Sequence, residues 1–257
     1  MIKQSSILLA ALLLATPVFA EKEPWTDVGV YLFATAIEGD ATIGNVETDI
    51  DMDFSDIMEN LDIGFMGYVE HRRDRWSFIG DMAYLRLEAD DSRATERGGL
   101  SIEVDAQVEQ YVIEAFAGYR VHEEKLDNGT LGIDVLLGAR YNELGFDVSG
   151  EAAFLGLTSK ASRDQTEYWV DGVVAVRVEY GRHEKGWGSS FWLDVGEGED
   201  SNTEQAMAFV TYTSGSAWQF YGGYRYINLD YDNGSGSSKF EIDFDYHGPM
   251  FGVTYHI

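Results

Sequence analysis

Residues 167–180 read EYWVDGVVAVRVEY. One parity of this stretch is Tyr168, Val170, Gly172, Val174, Val176, Val178 and Tyr180. It is apolar throughout and carries Tyr at both ends. The other parity, Glu167, Trp169, Asp171, Val173, Ala175, Arg177 and Glu179, mixes acids and a base with apolar residues. Alternation of period two over this length marks a strand and not a helix. An apolar face bounded by aromatics suits a bilayer, where Tyr and Trp favour the two interfaces and hydrocarbon fills the space between.

The pattern recurs along the chain. Tyr111, Ile113, Ala115, Ala117 and Tyr119 form one such face, and Leu131, Ile133, Val135, Leu137, Ala139 and Tyr141 another. So do Trp187, Ser189, Phe191, Leu193 and Val195, the set Trp218, Phe220, Gly222, Tyr224 and Tyr226, and the set Trp76, Phe78, Gly80, Met82 and Tyr84. Segments 28–37, 61–71 and 203–213 read as strands less cleanly. The links alternate between short and long. Short ones fall at 71–75, 122–129, 181–186 and 214–216, and longer polar ones at 38–60, 89–99, 148–166, 197–203 and 232–239. Short periplasmic turns and long outer loops are the up-and-down plan of a membrane barrel.

This gives an all-β, transmembrane, antiparallel barrel of about ten strands, at 27–37, 61–71, 75–88, 101–121, 130–147, 167–181, 187–197, 203–213, 217–231 and 240–257. Both termini should lie on the periplasmic side, so the count is even; eight and twelve stay open. Segment 38–60 is read as a long first loop, part extended and part a short helix from Ser55 to Leu61, folded over or into the barrel mouth. In the last strand Phe251, Val253, Tyr255 and Ile257 share one face, whereas Phe240, Ile242, Phe244 and Tyr246 share the opposite parity. Pro249 lies near this flip, so a bulge is expected at 247–249.

Composition agrees. The 257 residues include 28 Gly, 3 Pro and no Cys. Many turns and curved strands use Gly, and an exported chain without disulfides gains order from a closed sheet with every backbone group paired. Residues 1–20 follow the plan of a secretory leader, with Lys3, the apolar run Ile7 to Ala15, and Val18-Phe19-Ala20 before the expected cleavage after Ala20. The domain from 21 to 257 is then the barrel. With 18 Lys+Arg against 45 Asp+Glu the formal net charge is −27, and loss of Lys3 makes the mature chain one unit more acidic. Nucleic acid is excluded as a partner by repulsion of its phosphates.

The leader, the girdled strands and the ending Tyr255-His-Ile257 resemble the small outer-membrane β-barrel proteins of Gram-negative bacteria, the broad OmpA-like and OmpW-like group. The usual last residue there is Phe; here it is Ile257. The segment Asp51-Met-Asp-Phe-Ser-Asp-Ile-Met-Glu-Asn-Leu-Asp62, before a Gly-aromatic strand and Arg75-Trp76, is similar to barrels of that group with no assigned activity. The resemblance implies a cell outer-membrane location. It also implies outer-membrane lipid and lipopolysaccharide as surroundings, and capture of the last strand by the barrel-assembly machinery. It implies no catalytic residue and no cofactor.

Three constellations invite chemistry. If the girdled parities face lipid, the interior receives Asp81, Glu114, Arg120, Asp134, Arg140, Asp171, Arg177, Glu179, Asp194 and Arg225. Buried charges must be paired or hydrated, so these form either a structural Arg–carboxylate network or the wall of a thin, cation-favouring pore. The run Asp49, Asp51, Asp53, Asp56 and Glu59 has alternating acids, but Phe54 stands where a calcium loop needs Gly and Asn60 where it needs Glu. No metal is expected. Asp243, Asp245 and His247 share one face, and proteases of the omptin type also place Asp and His two apart near a barrel mouth. An Asp-x-His can position a general base, yet the partner aspartates are not identifiable and the rest of the chain does not match. Asp230, Asp232, Asn233 and Gly234 read as a hairpin turn, and so does Asn128-Gly129-Thr130. The leading expectation is a non-enzymatic barrel with a structural or narrow-pore role. A surface adhesin acting through acidic loops is the alternative, and an outer-membrane hydrolase the least favoured.

Overall fold

The structure, a computed structural model, describes residues 23–94, 100–154, 157–181, 185–215 and 217–257. The expected leader and its cleavage position lie outside them. The described strands are β1 (Trp25–Phe33), β2 (Ala36–Ile43), β3 (Val46–Met52), β4 (Leu61–Arg73), β5 (Trp76–Ala94), β6 (Leu100–Leu126), β7 (Gly129–Phe154), β8 (Leu157–Gly181), β9 (Gly186–Glu197), β10 (Ser201–Ser214), β11 (Trp218–Asn233) and β12 (Phe240–His256). A short helix, α1 (Phe54–Glu59), joins β3 to β4.

The ring runs β1-β4-β5-β6-β7-β8-β9-β10-β11-β12 and closes by β12 against β1, all antiparallel. Closure leaves these ten strands without a free edge through the apolar belt, as a bilayer demands. Strands β2 and β3 are additional. They extend the wall, β2 pairing with Phe240–His247 of β12 while β1 pairs with the other half of the same strand.

Segment 38–60 is part extended and part a short helix, and its extended part pairs against β12 as a wall extension. The helix begins at Phe54 because the Asp53 carboxylate accepts from the Ser55 and Asp56 amides at 2.7 and 3.0 Å, while Asp56 reaches back to the Asp53 amide at 3.0 Å. This reciprocal cap satisfies donors that the first turn leaves open. Those bonds, with one from the Ser55 hydroxyl, hold the exposed Asp53 carboxyl below its ordinary range. Of the helix only Ile57 is buried, packed against apolar residues at the barrel mouth.

Two long links read as loops, 89–99 and 148–166, are instead mostly strand. β5 and β6 stay paired from Trp76↔Tyr119 to Ala94↔Ser101, and β7 and β8 from Thr130↔Gly181 to Phe154↔Leu157. Asp230, Asp232 and Asn233 likewise continue β11, and the turn starts only after them. Polar sequence was mistaken for turn sequence because these hairpins rise clear of the apolar belt, where an outward face must be polar. At the opposite end the turns are tight. Asp74, at φ 55°, lies in the two-residue turn between Arg73 and Trp76.

The expected bulge at 247–249 is absent. β12 pairs with β11 in one unbroken register from Trp218↔Tyr255 to Asn233↔Phe240. The β12–β1 and β12–β2 registers are also in phase, and the Ala34 amide donates to the Pro249 carbonyl at 2.9 Å where the two meet. Gly248 allows this meeting, because a Cβ there would lie 2.1 Å from the Ala34 carbonyl oxygen. What flips is the chemistry of the interior. Phe240, Ile242, Phe244 and Tyr246 are buried on the same inward face as Thr254.

The other strands follow suit. Towards the turns the outward face is greasy and the inward face charged. Leu137, Val170, Phe191 and Phe220 are exposed, whereas Asp134, Arg177 and Arg225 are buried. Towards the hairpins the inward face is apolar, with Leu144, Trp169, Leu229 and Tyr231. Aromatic pairs bound the greasy belt. Trp76–Tyr119, Trp187–Tyr212 and Trp218–Tyr255 meet at the turn end, at 4.8 to 5.0 Å between rings, and Tyr84 stacks on Tyr111 at the other side at 4.4 Å. From Trp76 to Tyr84 the strand rises about 27 Å, which a tilt of about 40° projects to about 21 Å along the membrane normal, on the scale of the ~25 Å apolar band of such barrels.

Candidate functional site

Of the ten residues assigned to an inward charge set, eight are buried and Asp81 and Glu179 line an interior cavity; two more that sequence reading passed over join them, Glu70 and Arg72 of β4, both buried. They were passed over because β4's outward parity (Ile63, Phe65, Gly67, Val69) ends in His71 and Arg73, which blurred the alternation.

The charges form two layers. Nearest the turns, Arg72, Arg120 and Arg177 meet Glu70, Asp134 and Glu179. Arg177 Nη2 lies 2.8 Å from Glu70 Oε1 and 2.8 Å from Asp134 Oδ2; Arg72 Nη2 lies 3.0 and 2.9 Å from the same two carboxylates. Arg120 grips Asp134 and Glu179, and Glu179 also lies 3.4 Å from Arg177 and 3.5 Å from Arg72. With Glu123 3.5 Å from Arg120 at the edge of the layer, three guanidinium groups meet four carboxylates. Planar guanidinium groups with several fixed donors suit such sharing. Asp134 is at the centre, 1 % exposed and touched by all three.

The second layer lies deeper. Arg140 donates to Glu114 at 2.5 Å, to Asp194 at 2.9 Å and to the Thr203 hydroxyl at 2.8 Å. Arg225 donates to Gln205 at 2.6 Å and faces Glu114 at 3.7 Å. Asp194 also accepts from the Trp192 indole and from Gln205, each at 2.5 Å. Asp171 is fully buried and is held by the Ser201 hydroxyl and by Asn142 at 3.4 Å. Asp81 accepts from the Tyr31 hydroxyl at 2.6 Å.

Beyond these layers the apolar residues meet across the lumen. Phe146 of β7 and Phe240 of β12 sit five places apart in the ring of ten, diametrically opposite, yet their rings are 5.8 Å apart. Gln110 of β6 donates to the Tyr246 hydroxyl at 3.2 Å, and Trp169 stacks on Tyr231 at 4.3 Å. Below this cap a cavity of about 890 Å³ opens at the turn end and ends at Asp81 and Arg225. A second void of only about 70 Å³ lies on the far side of those two residues.

The remaining constellations stay outside the lumen. Asp243, Asp245 and His247 lie on the outer face of β12. His247 Nε2 is 3.2 Å from Glu38 and its Nδ1 is 3.0 Å from the Tyr224 hydroxyl, while Asp245 and Asp243 accept from Asn228 at 3.0 and 3.2 Å. None of the three lines either cavity. Asp53 is spent on capping α1, and Asp49 and Asp51 project from β3. Among the described residues no group of three or more His, Asp or Glu side chains is arranged to hold a metal.

No protein-family model matches the sequence, and no curated protein matches it. Solved structures do match by shape. The outer membrane protease OmpT of Escherichia coli superimposes with a TM-score of 0.58 at 8% identity, over 93% of this chain and 99% of that one. Ail, the attachment invasion locus protein of Yersinia pestis, gives a TM-score of 0.35 at 12% identity, over 92% and 100%. At these identities the likeness is one of fold. The chain has the fold of the small outer-membrane β-barrels, as its girdled strands led us to expect.

Asp134→Asn keeps the shape of the central carboxylate but leaves three guanidinium groups short of charge. It should cost about 3–5 kcal/mol in urea unfolding of the barrel in lipid vesicles. Asp51→Asn, on the exposed face of β3, should stay within about 0.5 kcal/mol. Equal effects would argue against a structural role for the ion cluster.

Proposed function

We propose that the chain is an integral outer-membrane barrel, closed to solutes, that serves as a rigid mount for an acidic surface structure. The observation that carries this reading is the contact of Phe146 with Phe240 across the full width of the lumen, backed by the two ion layers beneath it. A void of about 70 Å³ between the layers and the cap holds a few waters and offers a hydrated ion no wide path. Of the two roles the interior charges could take, the structural network is therefore favoured over the pore.

The reading is non-enzymatic. OmpT is a protease, but here Asp243, Asp245 and His247 point away from the lumen and are tied to Tyr224, Glu38 and Asn228. Planar-bilayer recording of the purified barrel tests the closed state. Silence across voltages and salts is expected; reproducible cation-selective steps would overturn it.

A surface-binding role is favoured by one further observation. Asp49, Asp40, Asp243 and Asp230 are direct partners across β3, β2, β12 and β11, so four like charges stand in a row on the outer wall. Like charges directly opposite destabilise a sheet, and a cationic partner would relieve them. Changing all four to Asn should abolish attachment of the refolded barrel to amine-coated surfaces. Undiminished attachment would sink this role.

A further inference from the structure

The deeper ion layer does not balance. Asp81, Glu114 and Asp194 face two bases, Arg140 and Arg225. Arg140 bonds both Glu114 and Asp194, and Arg225 turns to Glu114 and Gln205. Asp171 is held by neutral donors of its own and does not line the large cavity. The remaining carboxylate is Asp81. Among the described residues it forms no ion pair, and its one bond is from the Tyr31 hydroxyl. It stands at the inner end of the 890 Å³ cavity, which opens to the turn side between the termini of β8 to β12. In the layer nearer the mouth every carboxylate has a guanidinium within reach, so Asp81 is the carboxylate of the two layers that faces the cavity without an ion-pair partner.

The walls leading to it mix polar side chains, the cations Arg177 and Lys185 among them, with an aromatic and thioether strip of Phe116, Trp192, Met207, Phe209, Tyr221 and Met250. A cavity of this size with apolar walls and a few convergent polar groups is the ordinary form of a small-molecule site. Aromatic faces also attract a cation that has lost part of its water. From these observations we propose that the cavity is a binding site, entered from the turn side, for a small organic monocation with an aromatic or other apolar body. Its ammonium group sits at Asp81 and its body lies between Phe116, Trp192 and Tyr221. The Asp81 carboxylate accepts from the ammonium and keeps the Tyr31 bond on its other oxygen. The cap behind Asp81 stops the ligand from passing through, so the site holds its ligand and does not conduct it.

The probe is 2-phenylethylamine, titrated calorimetrically into the full barrel in lipid nanodiscs, where no detergent competes for the cavity. Saturable one-to-one binding is expected. Asp81→Asn keeps the Tyr31 hydroxyl bonded but removes the charge, and should weaken binding at least about tenfold, the loss of one charge-assisted hydrogen bond. The neutral probe 3-phenylpropan-1-ol should bind the unaltered barrel at least about tenfold more weakly for the same reason. Met207→Trp, which fills the cavity without touching the ion layer's charges, should also abolish binding. Heat-modifiable gel mobility verifies that each variant is folded. Absence of saturable binding, equal binding by the Asn variant, equal binding of the alcohol, or undiminished binding in the Trp variant would each overturn the proposal. None of these readings depends on conductance, so the closed-lumen proposal stands or falls separately.

Discussion

Each long strand of this protein passes through two surroundings, and a strand has only two faces. Where acyl chains lie outside, the outward face must be apolar and every backbone group must be paired within the sheet. Where water lies outside, the outward face must be polar and the cohesion must come from inside. A continuous ladder cannot exchange its faces, because a shift of one residue would turn every side chain over. The chain therefore keeps its register and exchanges its chemistry. β12 is the clearest case. Phe251, Val253 and Tyr255 face outward near the turns, and Phe240, Ile242 and Phe244 face inward near the hairpins, on a single unbroken ladder.

The interior follows from this exchange. Inside the belt, side chains that face each other across the lumen cannot be held by greasy packing alone, since much of the apolar residue supply is spent on the outer wall. Guanidinium and carboxylate groups fill the space, and their burial is tolerable because Arg72, Arg120, Arg140 and Arg177 each meet carboxylates from more than one strand. Asp134 ties together β4, β6 and β8, and Arg140 ties β7 to β6, β9 and β10. Removing one partner of such a set is costly, whereas the whole set contributes little more than an apolar filling would. Past the belt the inward residues become apolar, and Phe146 and Phe240 close the barrel from opposite walls.

Much of this was legible in the amino-acid order. The girdled parities of 76–84, 111–119, 131–141, 168–180, 187–195 and 218–226 gave the lipid face, and the opposite parity of the same strands gave the ten charges assigned to the interior. What stayed hidden had physical causes. Glu70 and Arg72 were masked by the basic residues that flank them at a turn. The extensions of β5 to β8 looked like loops because their sequence is polar, although their backbones stay paired. The bulge at 247–249 was inferred because a change in which parity is apolar was taken for a change in which parity points out. The unbalanced Asp81 was beyond sequence reading altogether, for pairing depends on which strands face each other across the lumen.

The exchange of chemistry on a fixed register can be measured directly on β12. The chain has no Cys, so single cysteines at positions 240, 242, 244, 243, 245, 251 and 253 can each carry a reporter. The account predicts that 251 and 253 are quenched by labels on acyl chains, that 243 and 245 react with a membrane-impermeant maleimide, and that 240, 242 and 244 are reached by neither. Quenching of 240, 242 and 244 by acyl-chain labels would mean that the strand turns over near Pro249, and would contradict it.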